Sequence, residues 1–137
     1  MSETKRAILI VDHGSRRAES NDSLSSVAEL VAQVAVNFHV EWAHMELAHP
    51  NIEEGFRACV EAGAVEVIVH PYMLGPGRHA SSDIPRLVDE AASLFPGVRY
   101  SVTSPLGADL RIAEVVLQRV QEAAARDPAE QENETNV

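Results

Sequence analysis

The chain has one cysteine, Cys59, in 137 residues. No internal disulfide is possible, and a lone thiol argues against a secreted disulfide scaffold and against a cysteine-based metal site. No apolar run approaches the roughly 20 residues that a bilayer-spanning helix requires. Met1-Ser2-Glu3-Thr4-Lys5-Arg6 leads directly into an apolar segment, without the charged-then-apolar layout of a signal peptide. The expected location is the cytoplasm. Basic residues are also scarce: 11 Lys and Arg stand against 21 Asp and Glu, a formal net charge of −10. Residues 127–137 carry four acids and no base and read as an acidic, disordered tail. Without them, 17 acids still face 11 bases. That balance disfavours nucleic acid and anionic membranes as partners, because both need a basic face. A small polyanion stays open, since Arg16, Arg17 and Arg78 cluster near the segments singled out below.

Hydrophobic residues make up 45% of the chain, which places it with globular proteins. Its length suits one domain, expected over residues 1–126. Strand and helix patterns alternate four times. Residues 6–12 form an apolar, β-branched run that reads as a buried strand. Residues 21–36 space Leu24, Val27, Ala28, Val31, Val34 and Ala35 as one helix face. Residues 38–45 form a second strand. Asn51 followed by Glu54 predicts a capping box for a helix carrying Ile52, Phe56, Cys59 and Val60, with Gly63 stopping it. Val65 to Tyr72 is the most apolar strand. Ser82-Asp83-Ile84-Pro85 opens a helix whose core face is Ile84, Leu87, Val88, Ala91 and Phe95. A fourth strand, 98–103, precedes a helix capped at Asp109, with Leu110, Ala113, Val116, Leu117 and Val120 expected inward. The alternation predicts an α/β fold: a doubly wound, parallel four-stranded sheet of order 2-1-3-4 with helices on both faces. Ligands bind such sheets where the winding reverses, here beyond the carboxyl ends of strands 1 and 3.

Two unusual segments fall at that point. Strand 1 runs into Asp12-His13-Gly14-Ser15-Arg16-Arg17, and strand 3 into Tyr72-Met73-Leu74-Gly75-Pro76-Gly77-Arg78-His79. Neutral imidazole ligates divalent Fe, Co, Ni or Zn. Two imidazoles with open positions would bind an ion and leave room to transfer it, whereas a structural site closes its shell. Glycines let backbone approach a flat ligand, and arginines present planar forks to carboxylates. His44 and His49 flank the end of strand 2 as rim residues rather than ligands, and Cys59 lies on a core stripe.

Three segments carry a family resemblance: Val-Asp-His-Gly-Ser-Arg at 11–16, Ala-His-Met-Glu-Leu-Ala-His-Pro at 43–50, and Pro-Gly-Arg-His-Ala-Ser-Ser-Asp-Ile-Pro at 76–85. Ser-Pro-Leu-Gly at 104–107 adds weaker support. Over roughly residues 6–120 the chain resembles the small CbiX/SirB-type chelatases, which act on sirohydrochlorin in siroheme or cobalamin synthesis. The resemblance implies a chelatase-like fold and insertion of Fe²⁺, Co²⁺ or Ni²⁺ as a substrate, with no permanent cofactor. It implies His13 and His79 as metal ligands and catalytic groups, with His13 also taking pyrrole protons. It implies substrate contacts from Ser15, Arg16, Glu46, His49, Leu74, Gly75, Pro76, Gly77 and Arg78. Larger relatives fuse two such halves, so a homodimer is expected. Many relatives carry an acid where this chain has His49, which leaves Glu46 or His49 to serve in its place. The cysteine-rich tail of plant relatives is missing, so no iron–sulfur cluster is implied.

Other readings compete. A non-catalytic tetrapyrrole or metal carrier would use the same residues. A histidine-dependent phosphate-transfer enzyme would want Arg-His-Gly after strand 1, where this chain has Asp12-His13-Gly14. Ser15 lacks the Gly-x-Ser-x-Gly elbow of a serine hydrolase.

Overall fold

A computed structural model describes residues 5–77 and 80–126. Arg78, His79 and the tail 127–137 lie outside the described residues. The elements run β1 (Arg6–Asp12), α1 (Ala18–Val34), β2 (Phe38–His44), α2 (Ile52–Glu61), β3 (Glu66–Pro71), α3 (Ala80–Ala92), β4 (Arg99–Val102) and α4 (Leu110–Ala124). The four strands pair in parallel in the order β2-β1-β3-β4. This is the expected doubly wound arrangement. No helix among the described residues is long and apolar enough to cross a membrane. The chain divides into two compact units, Met1–Gly107 and Ala108–Val137.

In the first unit, alternation along β1 feeds two cores. Ala7, Leu9 and Val11 face one side, where Ala43, Val67 and Val69 join them beneath Ile52, Phe56 and Cys59 of α2 and Ile84, Val88 and Ala91 of α3. Ile10 faces the other side and packs with Leu24 and Ala28 of α1, flanked by Ile8, Val31, Val40 and Trp42. Burial pushes the Cys59 thiol up to about 12, so it behaves as a small apolar side chain and is neither nucleophile nor ligand at neutral pH. The predicted capping box is present: Glu54 N–H donates to Asn51 Oδ1 and Asn51 N–H donates to Glu54 Oε1, each at 2.8 Å.

Gly55 sits where α2 presses on the sheet. A Cβ there would stand 2.7 Å from Leu9 Cδ1 and 2.8 Å from Ala43 Cβ. The helix therefore gives up about 1 kcal/mol of propensity relative to alanine in order to lie close.

The second unit corrects one expectation. Helix α4 forms, with Asp109 Oδ1 accepting from Arg111 N–H at 2.9 Å, but none of its residues is buried. Leu110, Val116, Leu117 and Val120, expected inward, are 55–76% exposed. An apolar stripe records that a helix has a sticky face and does not record what covers it.

Two outcomes follow from this packing. Gly55→Ala should lower stability by on the order of 1 kcal/mol, because overpacking costs about 1–3 kcal/mol and exceeds the propensity gained; thermal melting reads this directly. The second concerns His70 on β3, whose Nδ1 lies 2.8 Å from Thr103 Oγ1. Burial lowers its pKa below the ordinary 6.5. The unfolded chain thus binds a proton before the folded one does, and stability falls as pH drops through about 6.5. Melting temperatures between pH 5 and 8 should decline more steeply on the acid side for the native chain than for His70→Gln.

Candidate functional site

Residues at and past the ends of β1 and β3 line an open cavity of about 470 Å³. Asp12, His13, Gly14, Ser15 and Ser20 form one wall, and Tyr72, Met73, Leu74 and Gly75 the other. This is the switch point, since β1 and β3 are neighbours and the chain winds outward from them in opposite directions. A larger, open depression of about 930 Å³ lies at the other end of the sheet, beside Lys5, Arg6, Phe38 and His39. Two of its polar side chains already have partners. The Arg6 guanidinium lies 4.6 Å from the Phe38 ring centre, and His39 Nε2 is 2.6 Å from Glu41 Oε2. The smaller cavity, lined by Asp12, His13 and Ser15, is the candidate site.

Main-chain bonds hold its walls. Beyond the strand ends, Met45 N–H donates to the Asp12 carbonyl (2.8 Å), Glu46 N–H to the His13 carbonyl (3.1 Å) and Tyr72 N–H to the Val11 carbonyl (2.7 Å). The far wall is braced by residues 104–107: Leu106 N–H donates to the Met73 carbonyl (2.9 Å) and Gly107 N–H to the Leu74 carbonyl (2.8 Å). That bracing gives the Ser-Pro-Leu-Gly segment a physical role. Gly14 has φ +89°, and a Cβ there would stand 1.8 Å from the Glu46 carbonyl oxygen. No other residue fits where the two loops touch.

The structure brings His13, Ser15, Leu74 and Gly75 together on the cavity. His13 is exposed to solvent there. Glu46 joins the same frame through its backbone bond to His13, with its side chain exposed. Arg16 is exposed beside the wall, Pro76 is exposed and Gly77 half-buried. His49 is held elsewhere: its Nδ1 lies 2.7 Å from Glu54 Oε1, the oxygen that also caps α2. The bonds from His49 and from the Asn51 amide hold the Glu54 carboxyl below its usual range. Arg78 and His79 lie outside the described residues. Among those described, no three His, Cys, Asp or Glu side chains converge to hold a metal ion.

Several residues at the cavity were not expected to be site residues, although Asp12, Tyr72 and Met73 stand in the two segments singled out from the sequence. Ser20, Tyr72 and Met73 line the cavity. Asn21 clamps the loop, accepting from Ser15 N–H at 3.0 Å and donating to the Ser15 carbonyl at 2.8 Å. Asp12 lines the cavity while its Oδ1 lies 2.7 Å from Nδ1 of the buried His44. Spacing hides such pairs, because they join separate elements; the paired ends of β1 and β2 were the available hint.

Known proteins with similar sequences share this frame. The CbiX family model matches residues 7–123. The chloroplastic sirohydrochlorin ferrochelatase of Arabidopsis thaliana is 46% identical over 114 residues, covering 83% of this chain and 51% of that protein. The sirohydrochlorin ferrochelatase of Bacillus subtilis is 37% identical over 119 residues, covering 86% and 45%. This chain thus spans about half the length of these curated relatives. The sirohydrochlorin cobaltochelatase of Methanococcus maripaludis differs in being matched over 96% of its length, at 32% identity. Among solved structures, SirB from Bacillus subtilis with Fe³⁺ superposes with a TM-score of 0.80 at 34% identity, over 89% of this chain and 48% of that one. A family model that runs through both cavity walls and their bracing segment, on a shared fold, places this chain in the CbiX family.

Proposed function

We propose that this protein is a sirohydrochlorin chelatase of the cytoplasm, inserting Fe²⁺ or Co²⁺ into a carboxylate-rich tetrapyrrole. The observation that carries the reading is the position of His13, solvent-facing on the cavity at the switch point of a CbiX-family fold. Insertion exchanges two pyrrolic protons for one divalent ion. The site must therefore hold the ion, accept protons and grip the ring. An imidazole both ligates such ions and exchanges protons near neutral pH, so His13 serves the first two needs. His79 supplies the second imidazole. Glu46, tied to His13 through the backbone, offers a carboxylate beside it. Arg16 and Arg78 pair with peripheral carboxylates, and the opposed wall of Leu74, Gly75, Pro76 and Gly77 lies along the ring. Grip on the periphery supplies binding energy that can be spent on bending the macrocycle.

The reading extends to a homodimer. Relatives of twice this length carry the match in half their chain, while the Methanococcus maripaludis relative is matched nearly end to end. The exposed apolar residues of α4 are the surface proposed for a second copy.

Two measurements test these statements. Under anaerobic conditions, the protein should convert sirohydrochlorin faster than a protein-free control with Fe²⁺ or Co²⁺, followed by visible spectroscopy. His13→Ala should lose at least about 100-fold of that rate. Binding of tetrapyrrole without acceleration would instead indicate a carrier. In sedimentation analysis the chain should run at twice its own mass, and Val116→Glu with Leu117→Glu should return it to a monomer; a monomeric native chain refutes the dimer.

A further inference from the structure

We propose that His44 and Asp12 form a positioning pair that fixes the His13 loop for metal handling. The proposal rests on the chelatase reading above for its rate assay alone. Asp12 ends β1 and His44 ends β2, and the two stand opposite each other in the parallel register. Strand alternation puts them on the same side of the sheet as Ile10 and Trp42, the side covered by α1. His44 is 1% exposed, a polar ring set into the end of an apolar layer. Burying an imidazole there is costly unless its nitrogens are bonded. Its Nδ1 lies 2.7 Å from Asp12 Oδ1, and with a carboxylate as partner the Nδ1–H donates.

The pair has one end in the core and the other on the cavity, because Asp12 also lines it. His13 is the next residue. On its other side, Gly14 rests on the segment that carries His44: a Cβ at Gly14 would stand 3.1 Å from His44 Cβ and 1.8 Å from the Glu46 carbonyl oxygen. His44 N–H itself donates to the Pro50 carbonyl at 2.8 Å, and Glu46 N–H donates to the His13 carbonyl at 3.1 Å. His13 is therefore bracketed by a side-chain bond before it, a backbone contact after it and a backbone bond of its own, all made to residues 44–46. Remove the Nδ1 donor and the Asp12 carboxylate faces an apolar ring. It then turns out into the cavity beside His13, where it competes for the arriving cation and unsettles the loop. Small misplacements of a reacting group cost about 100-fold.

The test compares His44→Phe, which keeps a ring and loses the donor, with His44→Asn, whose Nδ2 takes the place of the imidazole Nδ1. Each is measured for insertion kcat, for KM toward sirohydrochlorin, for Co²⁺ affinity without tetrapyrrole, and for melting temperature. His44→Phe should lower kcat by at least about 10-fold with KM little changed, and His44→Asn should restore most of the loss. Co²⁺ affinity should differ between the two variants in step with kcat. Native kcat in His44→Phe, or equal losses in the two variants at matched melting temperatures, would overturn the proposal. If His44→Phe does not fold, Asp12→Ala takes its place: a fall in kcat with unchanged KM supports the pair, and native kcat refutes it. If the native chain binds Co²⁺ yet inserts no metal, the chelatase reading fails, and the Co²⁺ affinities of the variants still decide the role of the pair.

Discussion

The first unit depends on β1 having a hydrogen-bonded neighbour on each side. β2 and β3 both pair with it in parallel, so its apolar residues are buried on two faces and its direction is fixed. Parallel pairing forces each return to cross over the sheet through a helix, and the crossovers leave every strand end on the same rim. The reversal of winding beside β1 then sets where the rim opens. His13 emerges there because it is the first residue beyond the last paired position of the central strand. The ladder does not end at that point. Main-chain bonds from Met45, Glu46 and Tyr72 carry it one or two residues further, into the loops themselves. The site begins as an extension of the sheet.

That origin explains what was legible in the sequence. Apolar runs and 3.6-residue patterns marked all eight elements, with strand bounds shifted by no more than about one residue. The capping box of α2 was readable because all its parts lie within four residues. Strand order followed from connectivity, and connectivity alone puts the His13 loop at the switch point. The rest depended on register or on contacts between elements. Asp12 and His44 are 32 residues apart, and nothing local announces their bond. His49 read as a rim residue, whereas its imidazole shares the oxygen that caps α2. The burial of α4 failed for a different reason: periodicity finds a face and is silent about its partner.

The charge of the chain fits a negative ligand better than its total suggests. Several acids near the site are already engaged. Asp12 accepts from His44, and Glu54 accepts from His49 and the Asn51 amide. Arg16 and Arg17 are exposed at the start of α1 beside the cavity wall. Other described acids sit on solvated helix faces in ion pairs one turn apart, such as Arg57 with Glu53 and Arg86 with Glu90, while Glu46 is exposed beside His13. Such ion pairs are worth little individually.

The bracing of the far wall by Leu106 and Gly107 has a consequence for how the cavity can change. Both bonds are made by amide groups to the Met73 and Leu74 carbonyls, and the adjoining Tyr72 amide is tied to Val11. Those backbone bonds set the frame, and of the side chains at 72–74 Met73 packs against the core while Leu74 is 73% exposed. Leu74 is therefore the position where shape and polarity of the wall can be varied while its backbone stays in place. An engineer reshaping the cavity would start a saturation library there, and drifting lineages have the same latitude.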